Sequence, residues 1–259
     1  MEGSSLLDAH VHLDWAAEPA RVAREAAEIG LCLLCCTVGP SGYVRACDVL
    51  AGYPNVAVAA GLHPWYAEEA DIGLAAECAR AASFVGEVGL DFGARHAQTR
   101  ELQLSAFRAV CAACAEKGGK VLSIHSVRAA SDALDILAGT GALESCCCVL
   151  HWFSGTSEEL RRAADAGCWF SVGERMLATR RGREYARQVP GDRLLLETDL
   201  PGAPGDNLSV NDIAASLGRA MAQVKAARGK LPTGPEAFLG TRWGATCHTH
   251  AGCKGVSHV

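Results

Sequence analysis

The chain has 259 residues, with 24 Lys and Arg against 29 Asp and Glu, and a formal net charge of −5 at pH 7. With 49% hydrophobic and 20% charged residues it has an ordinary globular composition, which excludes a disordered chain, collagen and a coiled coil. No global basic field draws nucleic acid to this chain, so a nucleic-acid substrate requires a local basic patch or a bound metal.

Short apolar runs alternate with longer stretches of helical periodicity along most of the chain. Gly or Pro lies at several of the junctions, for example at Gly30, Gly167 and Pro190. The apolar runs predict strands over 5–12, 31–37, 56–61, 84–90, 120–125, 147–152, 168–172 and 193–199. Apolar residues at i, i+3, i+4 and i+7 predict helices over 17–29, 68–82, 97–117, 129–138 and 156–166.

Apolar strands that are each followed by a helix are typical of a parallel sheet covered on its faces. About eight such units in ~200 residues predict an α/β fold of the TIM-type (β/α)8 barrel class, for which about 250 residues is typical. An open, doubly wound sheet is the alternative, but the sequence has no G-x-G-x-x-G or G-x-x-x-x-G-K-[ST] phosphate loop. We therefore predict one barrel domain over 1–228 and, over 229–259, a short helix with a divergent, poorly ordered tail.

The cysteines and the amino terminus indicate where the protein is found. Thirteen cysteines lie mostly inside apolar segments, and an odd, clustered set is typical of reduced thiols in the cytosol rather than of a disulfide framework. The first residues lack a basic region followed by an apolar run, and no apolar run approaches the roughly 20 residues that span a bilayer. We expect a cytoplasmic protein with no membrane partner.

Residues of the metal-binding type lie at the ends of the predicted strands. A barrel gathers the C-terminal ends of its strands at one mouth, so side chains from distant parts of the sequence meet there. Four histidines and two carboxylates without Lys or Arg form a poor hydrogen-bond network, and the carboxylates repel each other, unless divalent cations lie between them. The six residues are His10, His12, Glu87, His125, His151 and Asp199.

The spacing of these residues predicts how they divide between one or two ions. His10 and His12 are two residues apart on a strand, so both imidazoles point to the same side and can chelate one ion. Glu87 has two carboxylate oxygens and can bridge two ions, with Asp199 completing the first ion and the two later histidines the second. A single histidine at a strand end is more often a satisfied polar residue, but six such residues together favour a metal site at the mouth.

Six segments of the sequence resemble, in order, the motifs of the TatD-type metal-dependent deoxyribonucleases, which are amidohydrolase-like TIM barrels. The segments lie between about residue 6 and about residue 201, and they are LDAHVHLD, GLHPWY, VGEVGLDF, LSIHS, LHWFSG and LLLETDLP. The resemblance implies the same division of the six ligands between two divalent metals, with Glu87 between them.

Residues 123–183 are more narrowly similar to the TatD-like subunit of Qat-type anti-phage systems, which implies partner subunits of an antiviral defence complex. The last residues, GTRWGATCHTHAGCKGVSHV, depart from the TatD pattern. Their ligand-type residues Cys247, His248, His250 and Cys253 are interpreted as part of a ragged tail rather than as a metal site.

The requirements of phosphodiester hydrolysis predict roles for further residues near the metals. Asp199 would be both a metal ligand and the base that orients a metal-activated water. Glu87, which would bridge the metals, and His63 are the other predicted catalytic residues. His63 would donate to the phosphate, and Trp65 would stack on a base unless it is only a surface aromatic. Arg175 would hold the nucleic-acid backbone, with a solvated helix face as the alternative, and Asp91 would orient a ligand histidine.

The leading hypothesis is a deoxyribonuclease, dependent on Mg, Mn or Zn, that acts on DNA ends or single strands. A hydrolase of small amides, lactones or phosphoesters is an alternative, although many such enzymes bridge their metals with a modified lysine on the fourth strand, where this chain has Glu87. A barrel acting mainly as a subunit of a defence complex is a third hypothesis, which the retention of all six ligand types disfavours. The metal, DNA versus RNA, and the polarity of cleavage stay open.

Overall fold

The computed structural model describes residues 6–243, which contain eight parallel strands in one sheet. Each strand pairs with its neighbour in sequence, so the order in the sheet is the order in the chain. The strands are β1 (Leu6–Val11), β2 (Leu31–Cys36), β3 (Val56–Leu62), β4 (Phe84–Asp91), β5 (Val121–Val127), β6 (Cys147–His151), β7 (Trp169–Val172) and β8 (Leu194–Leu196).

The chain after β8 joins the sheet to β1 at the C-terminal mouth. Asp199 N donates to His10 O at 2.9 Å, and His12 N donates to Leu200 O at 2.7 Å. These bonds bring the two edges of the sheet together, as an eight-stranded barrel requires. The predicted TIM-type α/β barrel is confirmed.

Helices follow the strands and cover the outside of the barrel, as the alternation of patterns predicts. The predicted helices omit three longer helices that the structure contains, over Pro40–Leu50, Arg180–Gln188 and Val210–Arg228. The first of them begins at Pro40, and proline suggests a break although it is favoured in the first turn of a helix. The helices are α1 (Pro19–Glu28), α2 (Pro40–Leu50), α3 (Ile72–Ala81), α4 (Arg100–Lys117), α5 (Ala130–Thr140), α6 (Ala142–Ser145), α7 (Ser157–Asp165), α8 (Glu174–Leu177), α9 (Arg180–Gln188), α10 (Val210–Arg228) and α11 (Gly234–Phe238).

The last strand is shorter than the predicted 193–199, and the difference concerns the site. β8 ends at Leu196, and Asp199 has a left-handed backbone with φ of 57°. Thr198 N donates to the buried Asp8 carboxylate at 3.0 Å. The chain therefore turns away from the ladder and carries the Asp199 side chain over the mouth.

Aromatic side chains from the end of the described chain close the opposite, amino-terminal end of the barrel. Phe238 packs against Trp169 at the start of β7, and Trp243 packs against Phe84 at the start of β4. Both belong to the apolar cluster that fills the barrel interior. The CHTHAGC segment and the rest of 244–259 lie outside the described residues.

Most cysteines of the described part fit the predicted set of reduced thiols. Ten cysteines in the described part are free thiols, most of them buried. Within residues 6–243, no helix is long and apolar enough to cross a membrane.

Candidate metal centre

A cleft of about 340 Å³ opens at the C-terminal mouth of the barrel. It lies where the predicted residues converge, and His10 is fully buried behind it. The predicted site residues that line the cleft are His12, His63, Trp65, Glu87, His125, His151, Arg175 and Asp199.

One oxygen of Glu87 faces two histidines near the end of β1, His10 in the strand and His12 immediately after it. Glu87 Oε2 is 3.3 Å from His10 Nε2 and 3.4 Å from His12 Nε2. Asp199 Oδ1 lies 3.4 Å from His12 Nε2 and 3.8 Å from His10 Nε2. Ligand atoms of the two histidines and Glu87 all lie within 4.8 Å of one another, close enough to share one metal ion.

The other oxygen of Glu87 faces a second set of imidazoles. Glu87 Oε1 is 2.7 Å from His125 Nδ1, 2.9 Å from His151 Nε2 and 3.2 Å from His63 Nε2. Ligand atoms of His63, Glu87 and His125 also lie within 4.8 Å of one another. The sequence predicts that His63 contacts the substrate phosphate alone, whereas the geometry brings it into this second group as well.

Hydrogen bonds behind the site fix the ring orientations of His10 and His12. His12 Nδ1 is 2.8 Å from the carbonyl oxygen of Cys36, which can only accept, so Nδ1 carries a proton. In the neutral imidazole this leaves the lone pair of Nε2 directed at the cleft. His10 Nδ1 lies 2.8 Å from Ser123 Oγ, and His10 Nε2 is buried without a hydrogen-bond partner.

Asp91 lies beside His125, where the sequence analysis expected it to orient a ligand histidine. Its Oδ2 is 3.2 Å from His125 Nε2 and accepts from Trp65 Nε1 at 2.6 Å. Its Oδ1 accepts from Gly93 N at 2.7 Å. Both oxygens of the carboxylate are therefore engaged.

Glu197 is a buried carboxylate that the sequence analysis missed. It accepts from Ser171 Oγ and from Trp152 N, the latter at 3.1 Å, and its Oε2 lies 3.6 Å from His151 Nδ1. Ligand atoms of His10, His151 and Glu197 form a third group within 4.8 Å. The available signal was an acidic residue in the apolar run LLLETD, but this run was interpreted only as a strand that ends in Asp199.

The clustered charges shift the pKa values of the site. Burial alone would raise the pKa of Glu87, but the imidazoles around it, that of His63 first, hold this pKa well below its usual value. Burial would lower the pKa of His12, but hydrogen bonds to Asp199 and Glu87 raise it to about 10. The centre therefore favours anionic carboxylates that face positive charge, which is the arrangement that a divalent cation also satisfies.

The predicted substrate contacts differ in how they are held. Trp65 is 49% exposed, and its ring stacks on His96 with centroids 4.9 Å apart and planes at 9°. Arg175 is exposed and lines the cleft. Arg183, from the same arginine-rich stretch, donates to the carbonyl oxygen of Leu177 at 2.8 Å, so its guanidinium binds the protein's own main chain.

Comparison with known proteins identifies related sequences. A family model described as TatD related DNase matches residues 7–223. The 3′-5′ ssDNA/RNA exonuclease TatD of Dickeya dadantii is 34% identical over 189 residues, which cover 69% of this chain and 69% of that protein. The protein of the same name from Escherichia fergusonii is 36% identical over 159 residues, which cover 58% of this chain and 59% of that protein. The uncharacterized metal-dependent hydrolase YabD of Bacillus subtilis is 29% identical, and the match covers 61% of this chain and 63% of that protein.

Solved structures share the fold. A hydrolase TatD family protein from Entamoeba histolytica superposes with a TM-score of 0.76 at 16% identity, covering 93% of this chain and 99% of the other. YJJV, a TatD homologue from Escherichia coli, superposes with a TM-score of 0.66 at 22% identity, covering 92% and 96%. At these identities the likeness establishes the barrel architecture.

Proposed function

Because the chain belongs to the TatD related DNase family, we propose that it is a divalent-metal-dependent hydrolase that cleaves phosphodiester bonds of DNA. We propose a single strand with a 3′ end as the substrate, and RNA as a second substrate, since the relatives from Dickeya and Escherichia are named 3′-5′ ssDNA/RNA exonucleases. The observation that carries the proposal is the Glu87 carboxylate, which has imidazole nitrogens within 3.4 Å of each of its two oxygens.

The donor set fits divalent metals. Neutral imidazoles and carboxylates are ligands for Zn and Mn, and carboxylates with a phosphate substrate also suit Mg. The buried His10 Nε2 has no hydrogen-bond partner, which is costly unless an ion accepts its lone pair. We propose that the centre would hold two ions, the first by His10, His12 and Asp199 and the second by His125 and His151, with Glu87 as a ligand available to both.

The chemistry of the proposal needs a nucleophile at neutral pH and compensation of negative charge on the phosphate. Divalent ions held by these ligands would lower the pKa of a bound water to roughly 7 and neutralise phosphate charge. Asp199 is 22% exposed whereas Glu87 is 3% exposed, so Asp199 is the carboxylate that can orient the attacking water and accept its proton. We assign His63, which lines the cleft, to donation towards a non-bridging phosphate oxygen.

The walls of the cleft suit an unpaired nucleic-acid strand. Trp15, Trp65, Tyr66 and Trp152 line it, and bases stack on such rings with about 1–3 kcal/mol each. Arg175 adds a positive charge for the backbone. A volume of about 340 Å³ is at the small end of ligand sites, which span about 300–1,000 Å³, and so favours a strand end over a duplex.

A small-molecule amidase or lactonase is less well supported. No lysine lines the cleft in the described part of the chain. The buried Lys120 precedes β5, at the other end of the barrel, and donates to the carbonyl oxygen of Arg80 at 3.0 Å. A bridging modified lysine therefore has no counterpart next to Glu87.

Two finer points rest on the sequence. The similarity of residues 123–183 to a Qat-type subunit supports a role as one subunit of a defence complex, and co-purification with the products of neighbouring genes tests it. The ten free thiols support a cytoplasmic location.

The proposed reaction is tested with metal-stripped protein and oligonucleotides labelled at either end. We expect Mg, Mn or Zn to restore stepwise shortening of single-stranded DNA from its 3′ end, with blunt duplex cut much more slowly. Glu87→Gln should abolish this activity, and Glu116→Gln, at an exposed glutamate paired with Arg80, should not. A protein that leaves every oligonucleotide intact with all three metals, or that turns over small esters instead, would overturn the proposal.

A further inference from the structure

The Asp91 carboxylate connects an exposed aromatic residue to a buried histidine of the centre. Trp65 Nε1 donates to Asp91 Oδ2 at 2.6 Å, and the same oxygen is 3.2 Å from His125 Nε2. A hydrogen bond to a carboxylate is stronger than one between neutral groups. Trp65 is therefore joined to His125 through a single oxygen atom.

Asp91 faces one ring nitrogen of His125, and Glu87 faces the other. His125 has Nε2 against Asp91 and Nδ1 at 2.7 Å from Glu87 Oε1. When Nε2 donates its proton to Asp91, the lone pair of Nδ1 is free for a metal ion shared with Glu87. A group that holds the Asp91 carboxylate in place therefore favours this tautomer.

Trp65 is held in place by a closed ring of contacts although half of its surface is exposed. Asp91 N donates to the buried Gln103 Oε1 at 2.8 Å, and Gln103 Nε2 donates to His96 O at 3.0 Å. The His96 ring then stacks on Trp65. One face of the indole is thus covered, and its N–H is directed at Asp91 rather than at solvent.

We propose that Trp65 is a positioning residue, whose indole N–H fixes Asp91 and thereby holds His125 in the orientation that binds metal. The inference rests on the proposed function for the identity of the centre. It differs from a stacking role because it depends on the N–H group and not on the ring.

The test compares Trp65→Phe, which keeps an aromatic ring and removes the N–H, with Trp169→Phe as the matched control. Trp169 is half-buried against Phe238 at the far end of the barrel. Each metal-stripped protein is titrated with Co²⁺, followed by visible absorption and calorimetry. We expect Trp65→Phe to weaken one Co²⁺ site about tenfold, the lower end of the effect of removing a group that orients a metal ligand.

Two further measurements separate positioning from stacking. On an Asp91→Asn background, Trp65→Phe should have little additional effect, because the pathway through Asp91 is already altered. In cleavage of single-stranded DNA at limiting Co²⁺, kcat should fall with metal occupancy while KM stays within about twofold.

Unchanged Co²⁺ affinity with a raised KM would overturn the inference and leave Trp65 as a stacking surface. Equal losses in the Trp169→Phe control would also overturn it, because they would indicate general destabilisation. If the wild-type protein binds Co²⁺ but cleaves no nucleic acid, the proposed function fails while the titration still decides the role of Trp65.

Discussion

The buried Glu197 provides a sharp test of how this centre is built, because it contacts the site without lining the cleft. In Glu197→Gln the side chain keeps its shape but loses its charge. One of its two positions then presents an NH2 group to Ser171 Oγ or Trp152 N, which are donors in the present arrangement. The substitution therefore removes one charge-assisted hydrogen bond and weakens the attraction for His151 Nδ1.

The magnitude follows from these contacts. A hydrogen bond to a charged group contributes about 1.5–3 kcal/mol, and loss of a carboxylate behind a metal-binding histidine lowers metal affinity about 10–100-fold. The distance between Glu197 Oε2 and His151 Nδ1 is 3.6 Å, which is long for a hydrogen bond. We therefore expect a loss of metal affinity near tenfold, the lower end of the roughly 10–100-fold range.

The assay is a Zn²⁺ or Mn²⁺ titration of Glu197→Gln beside Ser171→Ala, which removes one donor to the same carboxylate and keeps its charge. We expect Glu197→Gln to bind metal about tenfold more weakly and Ser171→Ala to show a smaller loss. Metal affinity equal to wild type in Glu197→Gln, with the fold intact by circular dichroism, would refute the reasoning.

Three other predictions follow from the same structure. Arg175→Ala should raise KM for single-stranded DNA and reduce the salt dependence of binding by about one phosphate contact, a change of roughly 0.7 in the slope of log K against log salt. Phe238→Ala should lower the free energy of unfolding by about 3–5 kcal/mol, measured in urea, because a fully buried ring is removed far from the cleft. Metal affinity should rise from pH 6 to pH 9, with proton release seen by calorimetry in two buffers: the pKa of His12 is about 10 without metal, so metal must displace its proton. Equal metal affinity at pH 6 and pH 9 would contradict the displacement of a proton from His12.

The barrel was predictable because each strand is a short apolar run followed by an amphipathic helix. The ends of the strands were harder to predict from the sequence. The sequence 193–199 continues as an apolar run with an acidic end, yet the ladder stops at Leu196, since Thr198 bonds to Asp8 and Asp199 takes a left-handed turn. An apolar run in the sequence carries no information about such a tertiary contact.

The site shows the same limit. The six predicted ligand residues and His63 converge because strand ends converge in any barrel. Glu197 was missed because a single carboxylate in the apolar run 193–199 gives no periodic signal, and its partner Ser171 lies on β7. The stacking of Trp65 on His96 was also inaccessible, because it depends on a loop whose path Gln103 fixes through a hydrogen bond.

The most direct test of the central claim is a crystal structure of the protein soaked with Mn²⁺, with anomalous difference maps at the manganese edge. The account predicts two peaks in the cleft, one on each side of the Glu87 carboxylate, near His12 and Asp199 on one side and near His125 on the other. Peaks absent from the cleft, or bound without contact to Glu87, would contradict it.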